Sequence, residues 1–498
     1  MRVGIDLGTT NTVASYIDEN GIWNCLEFRQ GREDEKRFLP SVVAAENGRI
    51  CVGAAALDAA MRSPGDVIYD AKANMPTPGK EYFIGGISIT AQEASTQILR
   101  EVYRELKDRF PSEKSFNAFV TVPTGFMTEA RIATKTALRN AGFETNEDCL
   151  TDEPIAAAVS YSTRLDGDRL VLVVDMGGGT FDLSLLKTSI IGASVGADRL
   201  EPVGHGRDMH LGGNDVDDLL VHAMSLKFIE DGGTDLDLPL SAVYHDRELA
   251  AAVRRMRELT LDIKKQLYSG DRAFVFVRDL YGGADLDFSI TQAEYAMLMT
   301  DLAARYKRCI DNTFVGIGYT VSDVDHVIMA GGMAHETVLL GLLSSMFGRD
   351  RIIIPDDAMY MVSKGAAICN SDIRLRVENR SYTTIGLLRD SGRGVEVLIR
   401  EGEIIRTGQI LTAEITPASK DATAINIQIA EFTGEFDPSR YTVILSGNVP
   451  VMHRKISLPF MGKHPIILKA RFSEDKILSV TVIQGKRKDR LDVRLGGK

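Results

Sequence analysis

Two short stretches of this chain repeat one design, and that repetition constrains its fold more than any other feature. In residues 171–186 an apolar run ends in Asp175, turns through Gly177, Gly178 and Gly179, passes Thr180 and leaves as a second strand carrying Asp182. Residues 3–13 follow the same order, with Asp6 closing a strand, Gly8 in the turn, and Thr9, Thr10 and Asn11 leading out. Glycine permits positive φ and leaves no Cβ between the backbone amides and a ligand. A turn of this kind can cradle phosphate oxygens with its N–H groups. An aspartate at the strand end is placed to hold a metal's water shell or a water. Two matching hairpins imply an internal duplication with a nucleotide between the halves.

At 498 residues the chain is too long for one ordinary core, and two to four domains are expected. A net charge of −11 argues against a general nucleic-acid surface. No run of about 18 apolar residues is present, so no membrane span is expected. Residues 1–5 enter a strand at once, which leaves no room for a signal peptide. Cys25, Cys51, Cys149, Cys309 and Cys369 are scattered and form no CxxC pair. Neither disulfides nor zinc are expected, and the cytoplasm is the default compartment.

Periodicity predicts an amphipathic helix over 91–109, a strand over 118–123 and a helix over 128–141. Another helix starts at Glu153-Pro154, with proline in its first turn. The second half repeats this grammar: a helix over 216–228, a longer basic helix over 249–267, a strand over 273–277, a helix over 291–312 and a strand over 324–330 that runs into Gly331-Gly332. Beyond Asp372 helical periodicity is scarce, and short strands separated by polar turns predict a small β-sandwich.

These residues resemble the Hsp70 (DnaK-like) chaperone family, in a lidless form. The hairpins around Asp6 and Asp175 match the family's two phosphate motifs. Residues 118–144 look like its first connecting segment, 211–215 its LGGxD motif and 330–332 its adenosine motif. Glu153-Pro154 with the alanines after it is shared with bacterial actin-like filament proteins and discriminates less. The resemblance implies a fold of the α/β class: a duplicated actin-like (ribonuclease H-like) ATPase domain over 1–372, a linker over 373–384 and a small all-β sandwich, peptide-binding-like, over 385–498.

By position the resemblance implies that Asp6 and Asp175 hold the hydration shell of Mg²⁺. Gly8, Thr9, Thr10, Asn11, Gly177, Gly178, Gly179 and Thr180 touch phosphates, and Lys72 contacts the γ-phosphate and the attacking water. Glu153 orders the metal's water, and Asp182 serves the nucleophile or a potassium ion. Gly212, Gly213, Lys264, Gly331 and Gly332 belong to the rest of the nucleotide site. ATP or ADP, Mg²⁺ and K⁺ are the implied cofactors. The implied activity is ATP hydrolysis that controls binding of extended apolar polypeptide segments. A J-domain cochaperone and a nucleotide exchange factor are the implied partners. Residues Leu388, Leu411, Ile425 and Ile427 line the client pocket or else form sandwich core.

The pattern departs from the family in several places. Leu261, Tyr268, Met333 and His335 stand where the family has a glutamate, a serine, a serine and an arginine around the adenine, so relaxed base selectivity is expected. Tyr268 either stacks on the base or is packed. Cys149 and Asp152 replace an arginine and an asparagine that serve J-domain cochaperones. The linker gains arginines but keeps an alternating face able to pair with a sheet edge. The chain stops at Lys498 straight after the β region, so the helical lid is expected to be absent. A nucleotide-switched scaffold with one dedicated partner and little ATPase is the alternative; a small-molecule kinase is weaker, because nothing resembles a sugar site.

Overall fold

The computed structural model describes residues 1–30, 36–75, 77, 80–146, 148–165, 167–189, 199–243, 246–370, 376–377, 379–389, 392–405, 409–415, 424–450, 466–473, 475–484 and 487–491. Part of the expected linker, 373–375 and 378, and the last residues, 492–498, lie outside these, as does the side chain of Ile425.

The duplication read from the two hairpins is a duplication of sheets. In the first lobe the strand order is Leu150–Asp152, Asn117–Val122, Arg2–Leu7, Asn11–Ile17, Trp23–Cys25. The first three are parallel and the last two antiparallel. In the second lobe the order is Ile352–Ile353, His326–Ala330, Arg169–Met176, Phe181–Ser189, Arg199–Asp208, with the same parallel and antiparallel senses. A sixth strand, Arg376–Val377, pairs in parallel with Arg199–Asp208 at this edge. Each glycine turn is thus the hairpin between a central strand and its antiparallel neighbour. Parallel strands buried on both faces read as near-continuous apolar runs, which is the character of residues 170–174.

Each lobe has its own core. The first packs Ile98, Leu99, Val102 and Leu106 of helix Ala91–Arg109 against Val3, Ile5, Val120 and Val122. The second packs Val253, Met256, Ile263 and Leu267 of helix Arg247–Ser269 beneath Leu172, Val174 and Leu183. The helix expected over 291–312 is two helices, Gln292–Leu298 and Thr300–Thr313, broken at Met299.

Two further helices cross between the lobes. Helix Glu153–Tyr161 leaves the first-lobe sheet and packs its Ile155, Ala156 and Val159 under Val171, Val173 and Ile328 of the second. Helix Met361–Cys369 leaves the second lobe and returns to the first, where Ser363 Oγ lies 2.7 Å from Ser15 Oγ and the following Asn370 donates to Val3 O. The two helices meet backbone to backbone: a Cβ on Gly365 would stand 1.7 Å from Ala156 O.

The C-terminal region holds two four-stranded sheets, one containing Thr384–Arg389 and Ala424–Phe432, the other Ile466–Phe472 and Leu478–Gln484. They share one core of Ile385, Leu387, Ile427, Ile429, Leu468 and Val480. Ile427 is therefore core, Leu411 is partly buried against it and Leu388 is half-buried.

Candidate nucleotide site

The strand ends and turns of both lobes converge on one cleft, about 700 Å³ including its open mouth. Asp6, Gly8, Thr9, Thr10, Asn11, Lys72, Glu153, Asp175, Gly177, Gly178, Thr180, Gly331 and Gly332 line it, all of them expected from the sequence. The two glycine turns touch each other. A Cβ on Gly178 would stand 1.8 Å from Thr10 Oγ1, so glycine is what lets the second turn sit against the first.

The remaining expected residues lie around this cavity. Gly213 N donates to Gly177 O at 2.9 Å and Asn214 N to Gly178 O at 2.7 Å, so the segment around Gly212 supports the glycine turn through its backbone. Gly179 packs on Thr9. Asp182 is reached from the side by Thr124, whose Oγ1 donates to Asp182 Oδ1 at 3.1 Å. Lys264 does not line the cleft. It is buried on helix Arg247–Ser269, with its Nζ 2.7 Å from Asp217 Oδ1. Leu261 is exposed, and Tyr268 donates to Met333 Sδ at 3.3 Å with its ring 6.1 Å from that of His335.

Sequence reasoning missed Thr121, which donates to Asp6 Oδ1 at 3.1 Å, and Thr124. Both lie in or just after the strand Asn117–Val122, and the proximity of its C-terminal end to Asp6 follows from parallel pairing with Arg2–Leu7. Phe38, Met359 and Val362 also line the cavity, and Phe38 stacks on Tyr360 with ring centroids 5.4 Å apart. Nothing in their local sequence marks them.

The electrostatics are lopsided. Lys72, 8% exposed, forms an ion pair with Glu153, 5% exposed. Burial works against the lysine's charge, but Glu153 and Asp6 outweigh it and hold its pKa above the ordinary value. Burial raises Asp6, with Lys72 and the Thr121 hydroxyl opposing it. Burial also raises Glu153 and, most strongly, Asp175, which faces Glu153, Asp6 and Asp182 as well. Negative charge thus exceeds what the cleft's own lysine neutralises. Among the described residues no group of three or more metal-ligating side chains converges closely enough to hold a metal ion directly.

Two α/β lobes of matching topology, closing on a glycine-lined and carboxylate-rich pocket, define the class of protein. The comparisons narrow it. The family model for the Hsp70 protein matches residues 77–378. Two relatives, each a chaperone protein DnaK from a strain of Halobacterium salinarum, are 29% identical over 448 residues, 87% of this chain. The chain belongs to the Hsp70 family. Membership implies a duplicated actin-like ATPase fold, and the paired strand orders agree with it. The match spans 65% of the length of these relatives. Among the described residues no helix is long and apolar enough to cross a membrane.

Proposed function

We propose that this chain is a chaperone-type ATPase, binding ATP and ADP in the cleft and using their turnover to govern how the C-terminal sheets hold extended apolar segments of polypeptide. The observation that carries this reading is the cleft itself: two apposed glycine turns, one buried lysine and carboxylates in excess. Phosphoryl transfer to water needs positioning and charge neutralisation more than covalent chemistry, and that set of groups supplies both.

In this reading the amides of Gly177, Gly178 and Gly179 with Thr9, Thr10, Asn11 and Thr180 hold the phosphates. The lysine at 72 neutralises charge on the γ-phosphate and is itself held by Glu153. Asp182 and Glu153 order the attacking water, and Asp182 is also the place for a monovalent cation. The water oxygen adds to the γ-phosphorus, the bond to the β–γ bridging oxygen breaks, and the water's proton passes to the departing phosphate. Magnesium, when bound beside Asp6 and Asp175, supplies charge neutralisation at the phosphate oxygens. The bland role of Gly212 and Gly213 is backbone support of the glycine turn. Lys264, paired with Asp217, reaches a nucleotide only if that pair opens.

The partner readings divide. A polypeptide client fits the C-terminal sheets through β-augmentation, with side-chain pockets beside the strands. The surface where the family meets J-domain cochaperones is here covered: Asp475 Oδ1 accepts from the backbone N–H of Cys149 and Leu150 at 2.8 Å, and Asp152 is buried. A J-domain or an exchange factor would need that contact open or would dock elsewhere. The five cysteines are free, which suits a reducing compartment such as the cytoplasm.

Single-turnover phosphate release from ATP, with and without a generic unfolded peptide, tests the proposal. Slow Mg²⁺-dependent release that peptide accelerates is expected. Tight ATP binding with no phosphate release, peptide present or absent, would overturn it in favour of a nucleotide-switched scaffold.

A further inference from the structure

The antiparallel strands of the second lobe set a row of charged residues side by side. Asp175 is opposite Asp182 across one strand pair, and Asp182 is opposite Arg207 across the next. Directly opposed residues of antiparallel strands project from the same face, with Cβ atoms roughly 5 Å apart. The row Asp175, Asp182, Arg207 therefore lies on one face of the sheet, beginning at the cleft and running outward.

A glycine far away in the chain completes the arrangement. Thr124, which donates to Asp182, is followed by Gly125. A Cβ on Gly125 would stand 1.4 Å from Arg207 Nη1 and 2.3 Å from its Cζ. The backbone of Gly125 does not have positive φ, so turn geometry does not call for glycine there. Room for the guanidinium does. The loop carrying Thr124 and the strand carrying Arg207 thus approach the same carboxylate, which is 1% exposed.

We propose that Arg207 is a positioning residue of the nucleotide site, a fixed cation of this chain that holds the Asp182 carboxylate from the side away from Asp175. The proposal rests on the ATPase reading above. Arg207 does not line the cavity, so it acts through Asp182. Lys72 is the cation lining the cleft among the described residues, and it is engaged by Glu153. Burial raises the pKa of Asp182; the Thr124 hydroxyl and then Arg207 oppose it, ahead of Lys72. Arginine suits the place because its guanidinium stays charged whatever its surroundings and is planar enough to lie on a glycine backbone. A carboxylate anchored by a hydroxyl, with the charge of a guanidinium standing beside it, presents a fixed oxygen to the water it orders. A small displacement of such a group costs rate rather than affinity.

The test uses the full chain. In Arg207→Ala, single-turnover hydrolysis should fall roughly tenfold to a hundredfold while ATP and ADP affinities hold. Arg207→Lys should recover much of the rate. Gly125→Ala pushes the guanidinium aside without removing it, so it should slow hydrolysis in the same way, and Gly125→Ala with Arg207→Ala should be no slower than Arg207→Ala alone. Hydrolysis at the wild-type rate in Arg207→Ala, or a loss confined to nucleotide affinity, would overturn the proposal. Thermal unfolding of the nucleotide-free chain supplies a readout independent of turnover: a double-mutant cycle of Arg207→Ala with Asp182→Asn should show coupling. If the wild type binds ATP without releasing phosphate, the ATPase reading fails and the cycle alone judges the pair. Additive effects in that cycle remove Arg207 from Asp182.

Discussion

The candidate nucleotide cleft and the contact between the first lobe and the C-terminal sheets both bury charged side chains deeply, and they arrange those charges in opposite ways. At the contact each of the buried carboxylates named below is met by a cation or by hydrogen-bond donors. Lys135 pairs with Asp475, while Asp152 takes Arg131 on one oxygen at 2.5 Å and Lys476 on the other at 2.6 Å. The Lys476 ammonium also lies 4.1 Å from the centre of the Tyr382 ring. Glu431 accepts from Thr128 N at 3.0 Å and from the Thr383 hydroxyl at 2.7 Å. Burial pushes Asp152 up, but Arg131 and Lys476 outweigh it and hold it at about 2. In the cleft, by contrast, burial leaves Asp6, Glu153, Asp175 and Asp182 all raised. The contact's carboxylates find their partners within the chain; in the cleft the carboxylates outnumber the one lysine that lines it among the described residues, which suits the proposed cation and nucleotide. A buried charge can thus serve adhesion or reception, and neutrality distinguishes the two.

The largest effect should come from breaking the contact. Asp475→Ala breaks the pair with Lys135 and takes the acceptor from the backbone N–H groups of Cys149 and Leu150, and removing one partner of a buried pair costs about 3–5 kcal/mol. Denaturant unfolding of the full chain should then show the C-terminal sheets melting in a separate, earlier transition. An unchanged single transition would mean that the contact contributes little. Lys72→Ala attacks the cleft: nucleotide binding should survive while single-turnover hydrolysis falls by roughly 10²–10³. Wild-type turnover in that variant removes the lysine from its role.

The pH response should be smaller and of definite sign. Burial lowers Lys476 to about 8, with Asp152 opposing. The folded chain therefore binds fewer protons than the unfolded one between about pH 8 and the ordinary lysine value of 10.5. Stability contributed by this group rises with pH across that window, by about 3–4 kcal/mol in all. Unfolding free energies at pH 8 and pH 10 should show the rise, and Lys476→Met should flatten it; a fall with pH in the wild type that persists in Lys476→Met would contradict the assignment. Smallest is the base preference. If charge does most of the recognition in the cleft, the base should matter little, and Tyr268 and Met333 already contact each other beside Gly213. ATP and GTP affinities should differ by less than about 1.4 kcal/mol, or tenfold. A steeper ratio measured by calorimetry would show that the pocket still reads the base edge.

What was legible in the sequence was local. Asp6 and Asp175 announce themselves because a strand end, an acid and a glycine turn are contiguous, and the cleft assembles from those contiguous pieces. Lys72 was reached through a family pattern. The settings that the sequence does not show are defined by partners far along the chain. Lys264 carries a charge that suits a nucleotide, but Asp217 on a neighbouring helix holds it. Asp152 reads as a lost asparagine until Lys476 is seen beside it. Gly125 and Arg207 each look unremarkable in sequence, and only the shared space between them gives either a meaning. Ile427 could be pocket or core by periodicity alone, because an alternating strand does not say which sheet face meets another sheet; here it is core.

The crossing of helices Glu153–Tyr161 and Met361–Cys369 has a mechanical consequence. Gly365 lies against the carbonyl of Ala156 with no side chain between them. Side chains at an interface act as springs, since they change rotamer and take up slack, whereas two touching backbones have none to take up. A backbone-to-backbone crossing of this kind resists separation of the two helices, because lifting one off the other opens a void that no side chain can fill.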